Sequence, residues 1–148
     1  MKRKTMSKIY TMTIIIMMIV IMATTAMAFV PKSFSYVGDY PCQSYRTTSM
    51  KKTDSSDVYV KYSSGTPTYI DVEVWASDGT SGDAQNLTLV HTEGSNNRAN
   101  YYKVTKGNIK LLGNTVYNVY GSNGYTTLRI YTGGTGTVSG EWSATTNN

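Results

Sequence analysis

One stretch of strict two-residue alternation constrains the fold more than any other feature of the chain. Between residues 69 and 76, small apolar side chains occupy the even positions, and polar or aromatic side chains occupy the odd ones. The even positions are Ile70, Val72, Val74 and Ala76, and the odd positions are Tyr69, Asp71, Glu73 and Trp75. Because successive side chains of a strand point to opposite faces, this pattern predicts a strand with one buried face and one solvated face.

Similar short runs recur along the chain between turn signals such as Ser122-Asn123-Gly124. The further strand candidates are 58–62, 87–90, 101–105, 109–112, 115–120, 126–132 and 137–143. The connection Ser64–Pro67 has the length of a hairpin loop. About seven or eight short strands at this spacing predict an all-β fold, an antiparallel β-sandwich over residues 56–148. The preceding stretch, 29–55, is predicted to be an N-terminal arm with one possible edge strand, since Pro31 and Pro41 limit regular pairing.

The first 28 residues have the organisation of an export signal. Basic residues at Lys2–Lys4 and Lys8 precede the nine-residue apolar run Ile14–Met22, and Ala26-Met27-Ala28 matches a cleavage site. This order predicts a cleaved N-terminal signal helix over residues 1–28. A membrane anchor would need about 20 apolar residues, so we expect a secreted, extracellular protein that meets the membrane only during export.

Removal of this segment changes the charge of the chain. Four of the 14 basic residues lie in the signal, and all nine acidic residues lie after it, so the mature chain carries 10 − 9 = +1. A nucleic-acid-binding protein needs a basic surface because phosphate contacts dominate its affinity. The near-neutral charge argues against nucleic acid as a partner.

The single cysteine limits how the domain can be stabilised. A secreted domain that depends on disulfides has an even number of cysteines, whereas this chain has Cys42 alone. Packing and strand pairing must therefore hold the domain together. A free thiol and an intermolecular disulfide both remain open for Cys42.

No set of residues in the sequence predicts catalysis, a cofactor or a metal site. His91 is the only histidine, and neither a metal site nor a pairing with Cys42 has supporting residues around it. Asp71 and Glu73 lie about 7 Å apart on one strand face, which overlaps the carboxylate spacing of glycosidases. Any exposed strand with alternating acidic residues produces that spacing, so we expect both carboxylates to be solvated. The segment Asp78–Asp83 lacks the spacing of a calcium loop.

Aromatic residues are the unusual feature of the mature chain, which holds all but one of the 13 tyrosines. The tyrosines predicted to lie in the core are Tyr62, Tyr117 and Tyr120. By contrast, Tyr69 and Trp75 are predicted to face outward, and Tyr59 is expected to join them across the hairpin. These three residues form a candidate contact surface, since rigid amphipathic rings suit protein or glycan partners. The alternative is that a second layer or the N-terminal arm covers them.

Three short segments carry a resemblance to known proteins: Tyr45–Thr48, Val58–Gly65 and Thr137–Ser143. With the export signal, they resemble a group of small secreted β-rich proteins of Gram-positive bacteria, some of them bacteriocin-like. The resemblance implies an extracellular location and a β fold, and it implies no functional residues.

Together these features predict a secreted, non-enzymatic interaction protein. The expected role is a bacteriocin-like antagonist that binds a protein or glycan on another cell's surface. The alternative is a structural or cell-envelope-associated extracellular protein. A third hypothesis is a small extracellular hydrolase that uses Asp71 and Glu73.

Overall fold

The computed structural model describes residues 29–38, 44–79, 84–89 and 100–146. Within these residues the strands are β1 (Lys32–Gly38), β2 (Ser44–Arg46), β3 (Met50–Lys51), β4 (Val58–Gly65), β5 (Tyr69–Ser77), β6 (Gln85–Asn86), β7 (Tyr102–Thr105), β8 (Ile109–Leu112), β9 (Tyr125–Thr132) and β10 (Gly136–Ser143). A short helix, α1 (Val116–Tyr120), and one 3₁₀ turn (Gly121–Asn123) precede β9. No helix in this described part of the chain has the length and apolar character needed to cross a membrane.

The strands form two antiparallel sheets that face each other. In the first sheet the order is β1-β10-β4-β8. In the second sheet β9 and β5 are central: β2 and β3 pair in succession with the free edge of β9, and β6 and β7 pair with the free edge of β5. The predicted all-β antiparallel sandwich is confirmed, with ten strands in the described residues where seven or eight were expected.

The core lies between the sheets and is built from the inward positions of the long strands. All four even positions of β5 are at most 1% exposed, which confirms the alternation read from the sequence. The largest fully buried side chains are Trp142 and Tyr62. The Tyr62 hydroxyl donates a hydrogen bond of 2.7 Å to the backbone oxygen of Pro67, so its burial leaves no unpaired polar group.

The segment 29–55, predicted as an arm, supplies three strands and takes part in both sheets. β1 pairs along its whole length with β10 in the first sheet, while β2 and β3 pair with β9 in the second. Tyr36 of β1 stacks on Tyr45 of β2, with ring centroids 4.5 Å apart and planes within 10°. The segment therefore closes one side of the sandwich.

The connection predicted over Ser64–Pro67 covers residues 66–68 in the structure and is not a hairpin loop, contrary to the prediction. β4 pairs with β10 and β8 in the first sheet, whereas β5 pairs with β9, β6 and β7 in the second. The connection carries the chain from one sheet to the other. A loop of this length fits either geometry, and only the pairing partners of the two strands distinguish them.

Residues 115–120, predicted as a strand, form helix α1. Val116 is buried and Tyr120, four residues later, packs against the same core, which is helical spacing. The Asn114 side chain accepts a hydrogen bond from the Val116 N–H at 3.3 Å, and Gly121 ends the helix with φ of 57°. Asn114 and Gly121 are therefore the local signals that favour a helical turn here.

The predicted strand 87–90 is displaced toward the N-terminus. Regular pairing with β5 occurs at Gln85–Asn86, and Thr88 then makes a single bridge to Asn114. The Thr88 hydroxyl accepts a hydrogen bond from the Val74 N–H at 2.8 Å. The Leu87 N–H still donates to the Val74 oxygen at 2.9 Å, so the Thr88 side chain replaces only the second backbone hydrogen bond of this pair. Val90 lies outside the described residues.

Buried tyrosines make the fold sensitive to alkali. Burial raises the pKa of Tyr36 from 10.0 to about 12, and it also raises the pKa values of Tyr62 and Tyr102. In the unfolded chain these hydroxyls ionise from about pH 10, whereas the folded protein keeps them protonated. Their contribution to the free energy of unfolding is therefore fully present below pH 10 and is lost progressively as the pH rises to about 12. We expect the free energy of unfolding, measured by urea denaturation, to fall less steeply between pH 10 and 12 in Tyr36→Phe than in the wild type. Equal slopes would contradict the burial assigned to this hydroxyl.

Candidate functional site

The outer face of the second sheet carries both arginines of the described residues together with several aromatic side chains. Strand register places Glu73 opposite Arg129, and Arg129 opposite Arg46, in one row across β5, β9 and β2. We call this surface the arginine–aromatic face. Its residues are Ser44, Arg46, Tyr69, Asp71, Glu73, Trp75, Lys103, Thr127, Arg129 and Tyr131.

Glu73 is buried at the centre of this face and is not solvated, which corrects the prediction made for it. Glu73 is only 3% exposed to solvent. The Trp75 Nε1–H donates to Glu73 Oε2 at 2.6 Å, and the Tyr131 hydroxyl donates to the same oxygen at 3.1 Å. A buried carboxylate is stable only when donors of this kind replace water. Glu73 therefore fixes the orientation of both rings.

The two rings in turn hold the guanidinium groups. The Arg129 guanidinium carbon lies 5.2 Å from the Trp75 ring centroid and 5.1 Å from that of Tyr131. The Arg46 guanidinium carbon lies 5.4 Å from the same Trp75 ring. Each cation–π contact contributes about 0.5–1 kcal/mol at an exposed site. The Arg129 Nε–H also donates to Ser44 Oγ at 3.3 Å.

Neither guanidinium forms an ion pair within the part of the chain that the structure describes. The ion pair found there joins Lys52 and Asp54, away from this face. Arg46 and Arg129 face each other directly across β2 and β9, a destabilising arrangement of like charges, while Glu73 of β5 lies opposite Arg129 on its other side. Both groups nevertheless contact the same Trp75 ring.

A third cation repeats the same arrangement at the other side of the face. The Lys103 Nζ lies 4.3 Å from the Tyr69 ring centroid, and Lys103 is opposite Asp71 in the pairing of β7 with β5. Tyr69 is 40% exposed, and Lys103 is also exposed. On this face, then, three cations lie against aromatic rings.

The predicted contact residues do not form one surface. Tyr69 and Trp75 lie on the arginine–aromatic face, as their odd positions in β5 require. Tyr59 lies on the outer side of the first sheet, opposite Leu111 of β8, and its ring makes an edge contact of 4.9 Å with Phe29. The expectation that Tyr59 joins the other two was wrong because β4 and β5 belong to different sheets.

A shallow cleft of about 280 Å³ continues the face over one end of the sandwich. It lies between the connection of β4 to β5 and the turn that joins β9 to β10. The residues that line it are Thr66, Pro67, Thr68, Tyr69, Gly133, Gly134 and Thr135. Tyr69 is shared by the cleft and the face, so the hydroxyl-rich cleft extends the accessible surface.

Lys52 is a buried cation that the sequence did not reveal. Its Nζ donates to the backbone oxygens of Ser56 and Ala144, the latter at 2.5 Å, and lies 3.6 Å from an Asp54 oxygen. Burial lowers the pKa of Lys52, and the Asp54 carboxylate opposes this effect. These contacts tie the chain after β3 to the end of β10, so the role of Lys52 is structural.

Several residues considered for chemistry lie outside the described residues: Cys42, His91 and Asp83. Within the described ranges, no group of three or more His, Cys, Asp or Glu side chains is arranged to hold a metal ion. The arginine–aromatic face is thus the surface on which a functional interpretation can be based.

Comparison of the chain with protein-family models, with curated proteins and with solved structures gives no significant match. The interpretation of the face therefore depends on its own geometry and charge.

Proposed function

We propose that this chain is an exported, non-enzymatic interaction protein, and that the arginine–aromatic face contacts the surface of another cell. The observation that carries the proposal is the pair Arg46 and Arg129, which both contact the Trp75 ring and form no ion pair within the described residues. Arg46 is exposed and the other two are half-buried, so the face meets solvent. Rigid aromatics with arginine are the residues enriched at protein contact surfaces.

The state of Glu73 supports a binding role over hydrolysis. A glycosidase needs two carboxyl groups that can both reach the substrate. Glu73 is 3% exposed, and one of its oxygens already accepts hydrogen bonds from Trp75 and Tyr131. Its position suits a residue that orders the face.

Export is part of the proposal and has its own test. The full chain is expressed in a Gram-positive host, and the protein recovered from the cell-free culture medium is analysed by N-terminal sequencing. We expect Phe29 as the first residue, as the Ala26-Met27-Ala28 signal predicts. An intact Met1 in the medium, or protein confined to the washed envelope of the producing cells, would contradict secretion. The second result would favour the envelope-associated alternative.

The contact surface is tested by blocking one face at a time. In a Cys42→Ser background, Thr127→Cys places a thiol on the arginine–aromatic face, and Ser35→Cys places one on the outer side of the first sheet. Each secreted variant is coupled to a bulky maleimide polymer and added to intact Gram-positive cells. We expect the block at residue 127 to abolish binding to the cells and the inhibition of their growth. The block at residue 35 leaves both unchanged; equal effects of the two blocks would overturn the proposal.

A further inference from the structure

The arginine–aromatic face differs from a surface that stacks neutral sugars. Sugar rings bind to aromatic side chains through the open ring face, but here cations already lie against the rings of Trp75, Tyr131 and Tyr69. Arg46 and Lys103 are exposed, so a ligand that approaches this face can reach both a guanidinium and an ammonium group. The chemistry it presents therefore selects an anion.

The pair of guanidiniums also fits a particular kind of anion. A phosphodiester carries one charge on two non-bridging oxygens, and each oxygen can accept from one guanidinium. Arg46 and Arg129 are directly opposite each other on adjacent strands, about 5 Å apart at the backbone. A single phosphate between them would offset the repulsion that the pair otherwise carries.

The third cation indicates that the ligand is extended. Lys103 lies on β7, two strands from Arg129 on β9, and its partner on β5 is two residues from the partner of Arg129. These offsets place the two backbone positions roughly 12 Å apart. The hydroxyl groups of Ser44 and Thr127 lie on the same face; each makes one hydrogen bond within the protein and keeps the capacity for another to a polyol oxygen. An acidic peptide paired through its backbone would need a strand edge, whereas Arg129 projects from the face of a central strand.

We infer that the arginine–aromatic face binds a surface polymer of phosphodiester-linked polyols, with one phosphate held between Arg46 and Arg129 and the next charge near Lys103. This inference rests on the proposed function, because it assigns a ligand to the same face. Glu73 is a positioning residue in this site: it holds Trp75 and Tyr131, and those rings hold the arginines.

The inference is tested by titrating the secreted protein with poly(glycerol phosphate) in a calorimeter. We expect saturable binding that weakens as salt is raised, since screening reduces attraction between exposed charges. Arg46→Ala and Arg129→Ala should each weaken binding at least tenfold. The matched control, Lys61→Ala with Lys110→Ala, removes two cations from the first sheet and should change it less than twofold.

Several results would overturn the inference. Equal losses in the arginine variants and in the lysine control would mean nonspecific charge attraction. Binding of neutral dextran, of polyglutamate or of single-stranded DNA as tightly as poly(glycerol phosphate) would assign another ligand class. If poly(glycerol phosphate) fails to bind while the polymer block at residue 127 still abolishes binding to cells, the ligand assignment is wrong and the proposed function stands. If that block has no effect either, both are wrong.

Discussion

Replacing Gly140 with alanine is expected to destabilise the sandwich by about 3 kcal/mol, the upper end of the cost of inserting one methyl group into a packed core. A Cβ atom at this position would lie 2.1 Å from the backbone oxygen of Lys61 and 2.6 Å from Cζ of Phe34. Phe34 can rotate away, but the Lys61 carbonyl belongs to the central strand β4 and cannot. Gly140 lies where the pairing of β10 with β4 shifts by one residue, so the strands approach too closely for any side chain.

Gly133→Ala is the matched control for this change. Gly133 lies in the turn between β9 and β10, and a Cβ there would meet no atom within 4 Å. Its effect should stay within about 0.5 kcal/mol. Urea denaturation followed by far-ultraviolet circular dichroism measures both variants. Equal stability of the two would contradict the close approach of β10 to β4.

Glu73→Met is expected to cost about 2–4 kcal/mol, because it removes the buried acceptor of two hydrogen bonds to a charged group. The donors are the Trp75 indole N–H and the Tyr131 hydroxyl. Methionine has a similar length, so the loss reports the hydrogen bonds more than the volume. Without that acceptor the rings lose their fixed orientation, and the Trp75 indole N–H resonance should shift in an NMR spectrum of the ¹⁵N-labelled protein.

Two further variants serve as comparisons for Glu73→Met. Glu73→Gln keeps a carbonyl oxygen that can accept both bonds, so we expect it to retain most of the stability. Glu141→Met removes a carboxylate from a half-buried position on the outer side of the first sheet and should cost less than about 0.5 kcal/mol. A Glu73→Met protein as stable as Glu141→Met would mean that Glu73 does not order the face.

Much of the sandwich can be predicted from the sequence because period-two alternation reports burial directly. Residues 69–76 show this most clearly: the even side chains are buried, and Tyr69 and Trp75 point outward. Alternation reports which face a residue occupies within its own strand and nothing about the neighbouring strand. That limit explains the misplaced Tyr59, since the loop after β4 has the same length whether it turns back or crosses to the other sheet.

The candidate site was only partly predictable for the same reason. Arg46 and Arg129 are 83 positions apart in the sequence, and only the register of β2 on β9 brings them together. The alternation through Thr127, Arg129 and Tyr131 indicates that these residues share a face, but not that Trp75 lies next to them. The sequence places Glu73 on an outward face and therefore predicts a solvated carboxylate. It does not show that Trp75 and Tyr131 donate hydrogen bonds to that carboxylate.

Helix α1 illustrates a second limit of local patterns. The run from Thr115 to Tyr120 is rich in β-formers, yet Val116 and Tyr120 reach the core only at helical spacing. Tertiary packing overrides intrinsic preference over so short a segment.

On this account the arginine–aromatic face is the surface that binds a phosphodiester polymer on the target cell. This assignment is tested most directly by recording amide and indole NMR spectra of the purified, ¹⁵N-labelled protein during addition of poly(glycerol phosphate). We predict that the resonances of Arg46, Trp75 and Arg129 shift together and saturate, while those of Tyr59 and Leu111 on the opposite sheet stay in place. Shifts centred on Tyr59 and Leu111, with Trp75 unchanged, would contradict the account.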